Sequence, residues 1–154
     1  MKPNYTVIKW DSCFELGIPV IDKQHRSLLR ITNKLHNAYL DNNETPNWLF
    51  IETAREVIEC VRNHLNTEEK IMFLLKCNGL NDHKKQNEEF IEKIQFETSH
   101  DSDVKKITPP PFVYFLKDWV LSHVMNHDKI LSKHFDNMKT HGKFEMLLYS
   151  KNSI

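Results

Sequence analysis

The chain of 154 residues carries 21 Lys plus Arg against 21 Asp plus Glu, so its formal charge is zero and it exerts no global pull on nucleic acid or an anionic membrane. Hydrophobic residues make up 40% and glycines number only 3, which excludes a disordered chain and speaks against a turn-rich all-β fold. Three cysteines, Cys13, Cys60 and Cys77, are odd in number and form no CxxC pair, so a reducing cytoplasm is expected rather than a disulfide framework.

Met1 to Ile8 lacks a basic start followed by an apolar run, so no signal peptide is expected. Residues 1–20 read as an extended arm carrying Tyr5, Trp10, Phe14 and Ile18 and ending at Pro19. Asp22 is the expected cap of a first helix, along which Ile21, His25, Leu28, Leu29, Thr32, Leu35 and Tyr39 recur at helical spacing. Asp41-Asn42-Asn43 ends it, and Thr45-Pro46 opens a second helix. The apolar face of that helix runs through Leu49, Ala54, Val57, Ile58, Val61, Leu65, Ile71, Met72 and Leu75 to a stop at Asn78-Gly79. Asn81 or Asp82 caps a third helix with Phe90, Ile91 and Ile94. His100 to Pro111, charged and closed by three prolines, reads as a loop. Phe112 to about Met138 forms a fourth long helix with Phe115, Leu116, Trp119, Leu121, Val124, Ile130, Leu131 and Phe135. Lys143 to Tyr149 is an expected short C-terminal helix. Four long helices joined by short loops imply an all-α, up-down-up-down antiparallel four-helix bundle in one domain, 1–154, with the arm at 1–20, the bundle at about 21–138 and a tail at 139–154. No stretch approaches the ~18 apolar residues of a membrane span.

Polar residues interrupt these apolar faces. His64 and Glu68 are i, i+4 and share one side of the second helix. His25 lies on the inward stripe of the first helix, His83 one turn before Asn87 on the third, and His123 one turn after Trp119 on the fourth. A lone inward histidine is ordinarily a satisfied core residue. One from each of four helices, together with Glu68, would leave several buried polar groups without partners at several kcal/mol each. A metal ion satisfies such groups together, and imidazole with carboxylate suits iron. His36, His100, His134 and His141 are expected to be solvated.

Three segments resemble the signatures of the hemerythrin family, in the same order. Trp10 to Arg26, WDSCFELGIPVIDKQHR, resembles its entry segment. His64 to Phe90, HLNTEEKIMFLLKCNGLNDHKKQNEEF, resembles the second signature, with His and Glu four apart. Trp119 to Asp128, WVLSHVMNHD, resembles the third, a Trp-x-x-x-His with an Asp five residues on. The likeness spans about residues 10–135. It implies two iron ions (Fe2+/Fe3+) joined by an oxo or hydroxo bridge. By position, His25 and His64 fall to the first iron, where dioxygen binds, and His83 and His123 to the second, with Glu68 and Asp128 bridging. The family's third histidine on the second iron falls at 87, where this chain has Asn87. A neutral amide is a weak ligand, so the second iron is expected to keep Asn87 as a ligand, to take a water there or to bind loosely.

On an ideal helix His127, at i+4 from His123, is better placed than Asp128, which lies about 140° round. The resemblance favours Asp128, and a π-bulge or a tilted approach would bring it in. Two functions follow from the resemblance. One is reversible binding of dioxygen, or of another small diatomic or anionic ligand, for carriage, storage or sensing, which needs no catalytic side chain. The other is a di-iron enzyme of the peroxidase, oxidase or nitric oxide reductase type, using an open iron position near Asn87. A ferritin-like site needs Glu-x-x-His on two helices, and only Glu97 to His100 fits; a zinc protease is excluded because no HExxH occurs.

Overall fold

The computed structural model describes residues 8–40, 47–98 and 109–140. Every regular element among the described residues is helical: a 3-10 turn at Ser12–Phe14, α1 (Pro19–Leu40), α2 (Asn47–Leu74), α3 (Leu80–Thr98), α4 (Pro109–Ser122), a π-helical turn at His123–His127, and α5 (Asp128–Thr140). The last three run on without a break and make the fourth rod of the expected bundle. The all-α architecture read from the sequence is the one observed. The breaks expected at Asp41-Asn42-Asn43 and Thr45-Pro46, and the short helix at Lys143 to Tyr149, lie outside the described residues.

Helix boundaries differ from expectation for identifiable reasons. α1 starts at Pro19, whose fixed φ suits the first helical position, so Asp22 sits inside the first turn. Its carboxylate accepts from the backbone N–H groups of Leu16 (2.7 Å) and Gly17 (3.1 Å), tying the arm to the helix. α2 stops before Asn78-Gly79, at a left-handed Lys76 (φ 53). There Cys77 N–H donates to the Met72 carbonyl and Lys76 N–H to that of Phe73, the two bonds of a Schellman cap. α3 begins at Leu80, ahead of Asn81, with His83 N–H on the Gly79 carbonyl. Prolines 109 to 111 open α4 instead of closing a loop, since a first turn has no N–H partner to lose.

α1 packs against α2 and α4, and α2 against α3. The buried apolar residues fall into two blocks. The larger includes Leu28, Leu35, Val57, Val61, Leu65, Phe90, Ile94, Leu116, Val120 and Val124. The smaller consists of Leu16, Ile18, Ile21, Ile71, Met72, Cys77, Leu131 and Phe135. Along each contributing helix a polar residue separates the blocks: His25 between Ile21 and Leu28, Glu68 between Leu65 and Ile71, and Asp128 between Val124 and Leu131. The bundle thus contains a buried polar layer with apolar packing above and below it.

Leu28 is fully buried in the larger block. Leu28→Ala is expected to cost about 2–5 kcal/mol through lost burial and a residual cavity. Urea unfolding would show this as a lower midpoint with an unchanged slope.

Candidate metal centre

Five side chains of the layer are almost fully enclosed: His25, His64, Glu68, His123 and Asp128. His64, Glu68, His123 and Asp128 each present a donor atom within 4.8 Å of the others. His25 Nε2 lies 2.8 Å from Asp128 Oδ2. His123 Nε2 is 2.9 Å from Glu68 Oε2 and 3.1 Å from Asp128 Oδ1. His64 Nε2 is 3.7 Å from Glu68 Oε2 and 3.6 Å from Asp128 Oδ2. His83 stands at the rim, with Nε2 3.7 Å from Glu68 Oε2. Neighbouring donors on an octahedral ion with bonds of ~2.1 Å are spaced about 3.0 Å apart, which is the lower end of these separations.

The fourth rod delivers its two donors through the π-helical turn. Asp128 N–H donates to the His123 carbonyl, an i→i+5 bond in place of i→i+4. The wide turn absorbs one extra residue, so Asp128 faces inward while His127 faces solvent. The same phase shift explains Ile130. The uninterrupted periodicity puts it on the apolar face, yet it is half-exposed, whereas Leu131 and Phe135 are buried.

The hydrogen bonds around the layer fix which ring nitrogens carry protons. His25 Nδ1 faces the Phe14 carbonyl at 2.7 Å and must donate to it. His64 Nδ1 likewise donates to Gln24 Oε1 at 3.3 Å, and Gln24 Nε2 donates to Thr67 Oγ1 at 2.9 Å. In neutral imidazoles both Nε2 atoms are then lone pairs aimed at carboxylate oxygens. His64 Nε2 and Asp128 Oδ1 are fully buried with no hydrogen-bond partner among the described residues. A proton or a metal ion must stand between such facing acceptors, and buried imidazoles with two carboxylates are a donor set that fits a metal of the iron class.

The electrostatics agree. Burial pushes the His64 and His83 imidazoles down from their usual range, and His123 down to about 3, so all three stay neutral and able to ligate. Burial, then the charge of Asp128, holds the Glu68 carboxyl well above the ordinary carboxylate range. Burial also opposes ionisation of Asp128, but the His123, His25 and His64 imidazoles beside it outweigh that and keep it well below that range.

His36 departs from expectation. It is buried, edge-on to Tyr114 at 6.3 Å, because eleven residues after His25 is about 20° from the same stripe. His134 is half-exposed, with Nδ1 donating to the Ile130 carbonyl at 2.9 Å. His100 and His141 lie outside the described residues. Of the expected core residues, Met72 and Val124 are buried, and Trp119 and Leu121 are half-buried. Trp119 stacks on both Phe90 (3.5 Å) and His123 (4.5 Å). The Phe14 carbonyl and Thr67 carry no sequence signal of a part in the centre. Gln24 alone carries one, inside the Asp-x-Gln-His run.

The family of the hemerythrin HHE cation binding domain matches residues 16–135. The chain belongs to the hemerythrin family. It is similar to a hemerythrin polypeptide of Sipunculus nudus, 31% identical over 122 residues, which cover 77% of this chain and 86% of that one. A bacteriohemerythrin of Clostridium acetobutylicum is 30% identical over 129 residues, covering 78% and 95%. A myohemerythrin of Theromyzon tessulatum is 22% identical over 120 residues, covering 78% and 87%. No helix among the described residues of this hemerythrin-family chain is long and apolar enough to cross a membrane.

The π-turn sets His127 and Asp128 apart experimentally. His127→Ala is expected to leave bound iron unchanged, whereas Asp128→Ala is expected to abolish it, as read by metal content after desalting. The opposite pattern would mean that the fourth rod presents the wrong residue.

Proposed function

We propose that this is a non-haem di-iron protein that binds dioxygen, or another small diatomic or anionic ligand, reversibly. In this reading His25 and His64 serve the first iron, His83 and His123 the second, and Glu68 and Asp128 bridge the pair. One observation carries it: His64, Glu68, His123 and Asp128, all buried, bring a donor atom each within 4.8 Å of one another. A ferrous pair, when bound, supplies the electrons for reversible uptake of dioxygen.

The protein's own groups do the rest. The Phe14 carbonyl holds the His25 tautomer from outside, and Gln24 holds that of His64. Glu68 and Asp128 offset the cationic charge in a place that water does not reach. Met72 and Val124 flank the layer along their helices, and Trp119 covers one face of the His123 ring. A dry wall of this kind slows the entry of water. The enzymatic alternative rests on Asn87, which stands where the family carries a histidine and lines a cleft of about 330 Å³ between α2 and α3.

Metal analysis after anaerobic iron loading is expected to give two irons per chain, and Glu68→Ala is expected to lose both, since a bridge serves each. One iron or fewer in the parent would refute the paired site. The ultraviolet-visible spectrum of the reduced protein, taken before and after air and again after deoxygenation, separates the two functions. Recovery of the reduced spectrum supports reversible binding, whereas irreversible oxidation with turnover supports an enzyme.

A further inference from the structure

We propose that Asn87, held by Glu69, acts as a latch on His83: it keeps the imidazole in the tautomer that does not coordinate a metal, so the second metal position fills only when that contact breaks. The latch rests on the di-iron reading above and deepens it, by assigning a task to the residue at which this chain departs from its family.

His83 and Asn87 are one turn apart on α3, and Glu69 meets them from α2. Asn87 is buried, and its Nδ2 donates to Glu69 Oε1 at 3.0 Å while standing 3.2 Å from His83 Nδ1. A carboxylate oxygen only accepts, so Glu69 fixes the amide with its NH2 end toward itself. The second hydrogen of that NH2 group is then the one that faces His83. An amide nitrogen donates and does not accept, so His83 Nδ1 is the acceptor. A neutral imidazole that accepts at Nδ1 carries its proton on Nε2. In His83 that nitrogen faces Glu68 Oε2, 3.7 Å away.

His25 and His64 are set the opposite way. Their Nδ1 atoms donate, to the Phe14 carbonyl and to Gln24 Oε1, and leave Nε2 as a lone pair. For His83 to ligate through Nε2, that proton must leave to solvent and Nδ1 must take one up. Its side chain is 10% exposed, so water at the rim can carry both. The new Nδ1–H would meet the Asn87 NH2 group donor to donor. If the amide turns to offer Oδ1 instead, the same oxygen is brought against the Glu69 carboxylate, acceptor to acceptor. Either way the Glu69–Asn87–His83 chain loses a hydrogen bond in a largely buried place, which weakens the second position relative to the first.

Glu69→Gln releases the latch, because an amide at 69 can donate as well as accept and so supports both orientations of Asn87. The experiment loads parent and Glu69→Gln anaerobically with excess ferrous iron, removes the excess, counts iron per chain and times its release to a ferrous chelator. The parent should hold two irons, one released slowly and one faster. In Glu69→Gln the faster release should slow by about tenfold, with the slow one unchanged. Loss of a negative charge near a bound cation acts in the other direction, so an unchanged or quicker release overturns the proposal. A second readout follows the ring itself, by nitrogen NMR of the protein carrying one equivalent of diamagnetic Zn2+. His83 should be protonated at Nε2 in the parent and should gain the form protonated at Nδ1 in Glu69→Gln. Protonation at Nδ1 in the parent overturns the latch and leaves the di-iron reading standing. A parent that holds fewer than two irons under excess overturns the di-iron reading instead, while the ring signals still decide the latch.

Discussion

Everything in this bundle is organised around imidazole lone pairs that face carboxylate oxygens where water cannot reach. Either partner alone is an ordinary buried polar group. Together, without a proton or a cation between them, they are an arrangement that costs several kcal/mol for each unpaired atom. His25 and His64 cannot relieve it by changing tautomer, because the Phe14 carbonyl and Gln24 claim their outer nitrogens. A positive ion is the simplest remedy, and membership of a cation-binding family fits that requirement.

The supports of the layer come from parts of the chain that are distant in sequence. The arm reaches it through Phe14, and the arm is itself fastened at three points. Asn33 pairs with both backbone groups of Ile8, Asp22 receives Leu16 and Gly17, and the Arg26 guanidinium lies 4.1 Å over the Trp10 ring. Surface pairs such as Arg26–Glu15 add little stability by themselves, both partners being well exposed. Their contribution is positional, since they set where a backbone carbonyl meets a buried histidine.

Most of the fold was legible because four amphipathic periodicities survive in the sequence, and His25, His64 and Glu68 interrupt them at positions that must face inward. Asp128 was legible only through the resemblance, because an ideal helix turns it about 140° away. The π-turn corrects that angle, and backbone hydrogen-bond register leaves no mark in composition. Ile130 and His36 show the same weakness from both sides. One was placed inward on a phase that the π-turn breaks, and the other outward although its spacing from His25 returns to the stripe. The contact between Glu69 and Asn87 was illegible for another reason. Beside Glu68 on a charged stretch Glu69 reads as a solvated carboxylate, and only the approach of α3 gives it Asn87 as a partner.

The division of the apolar core has a consequence for how the molecule comes apart. The smaller block draws on the end of the arm, the start of α1, the end of α2 and α5, and α3 adds to it only the half-buried Leu80. Little apolar area holds that end of the bundle, and the polar layer is the seam between it and the larger block. With a cation in the seam, the two blocks are stitched into one cooperative unit. Without one, the end bearing Ile21, Met72 and Phe135 becomes a separate unit that opens at lower free energy than the rest. The metal state of the centre would then be written into the amide-exchange pattern of residues that never touch it.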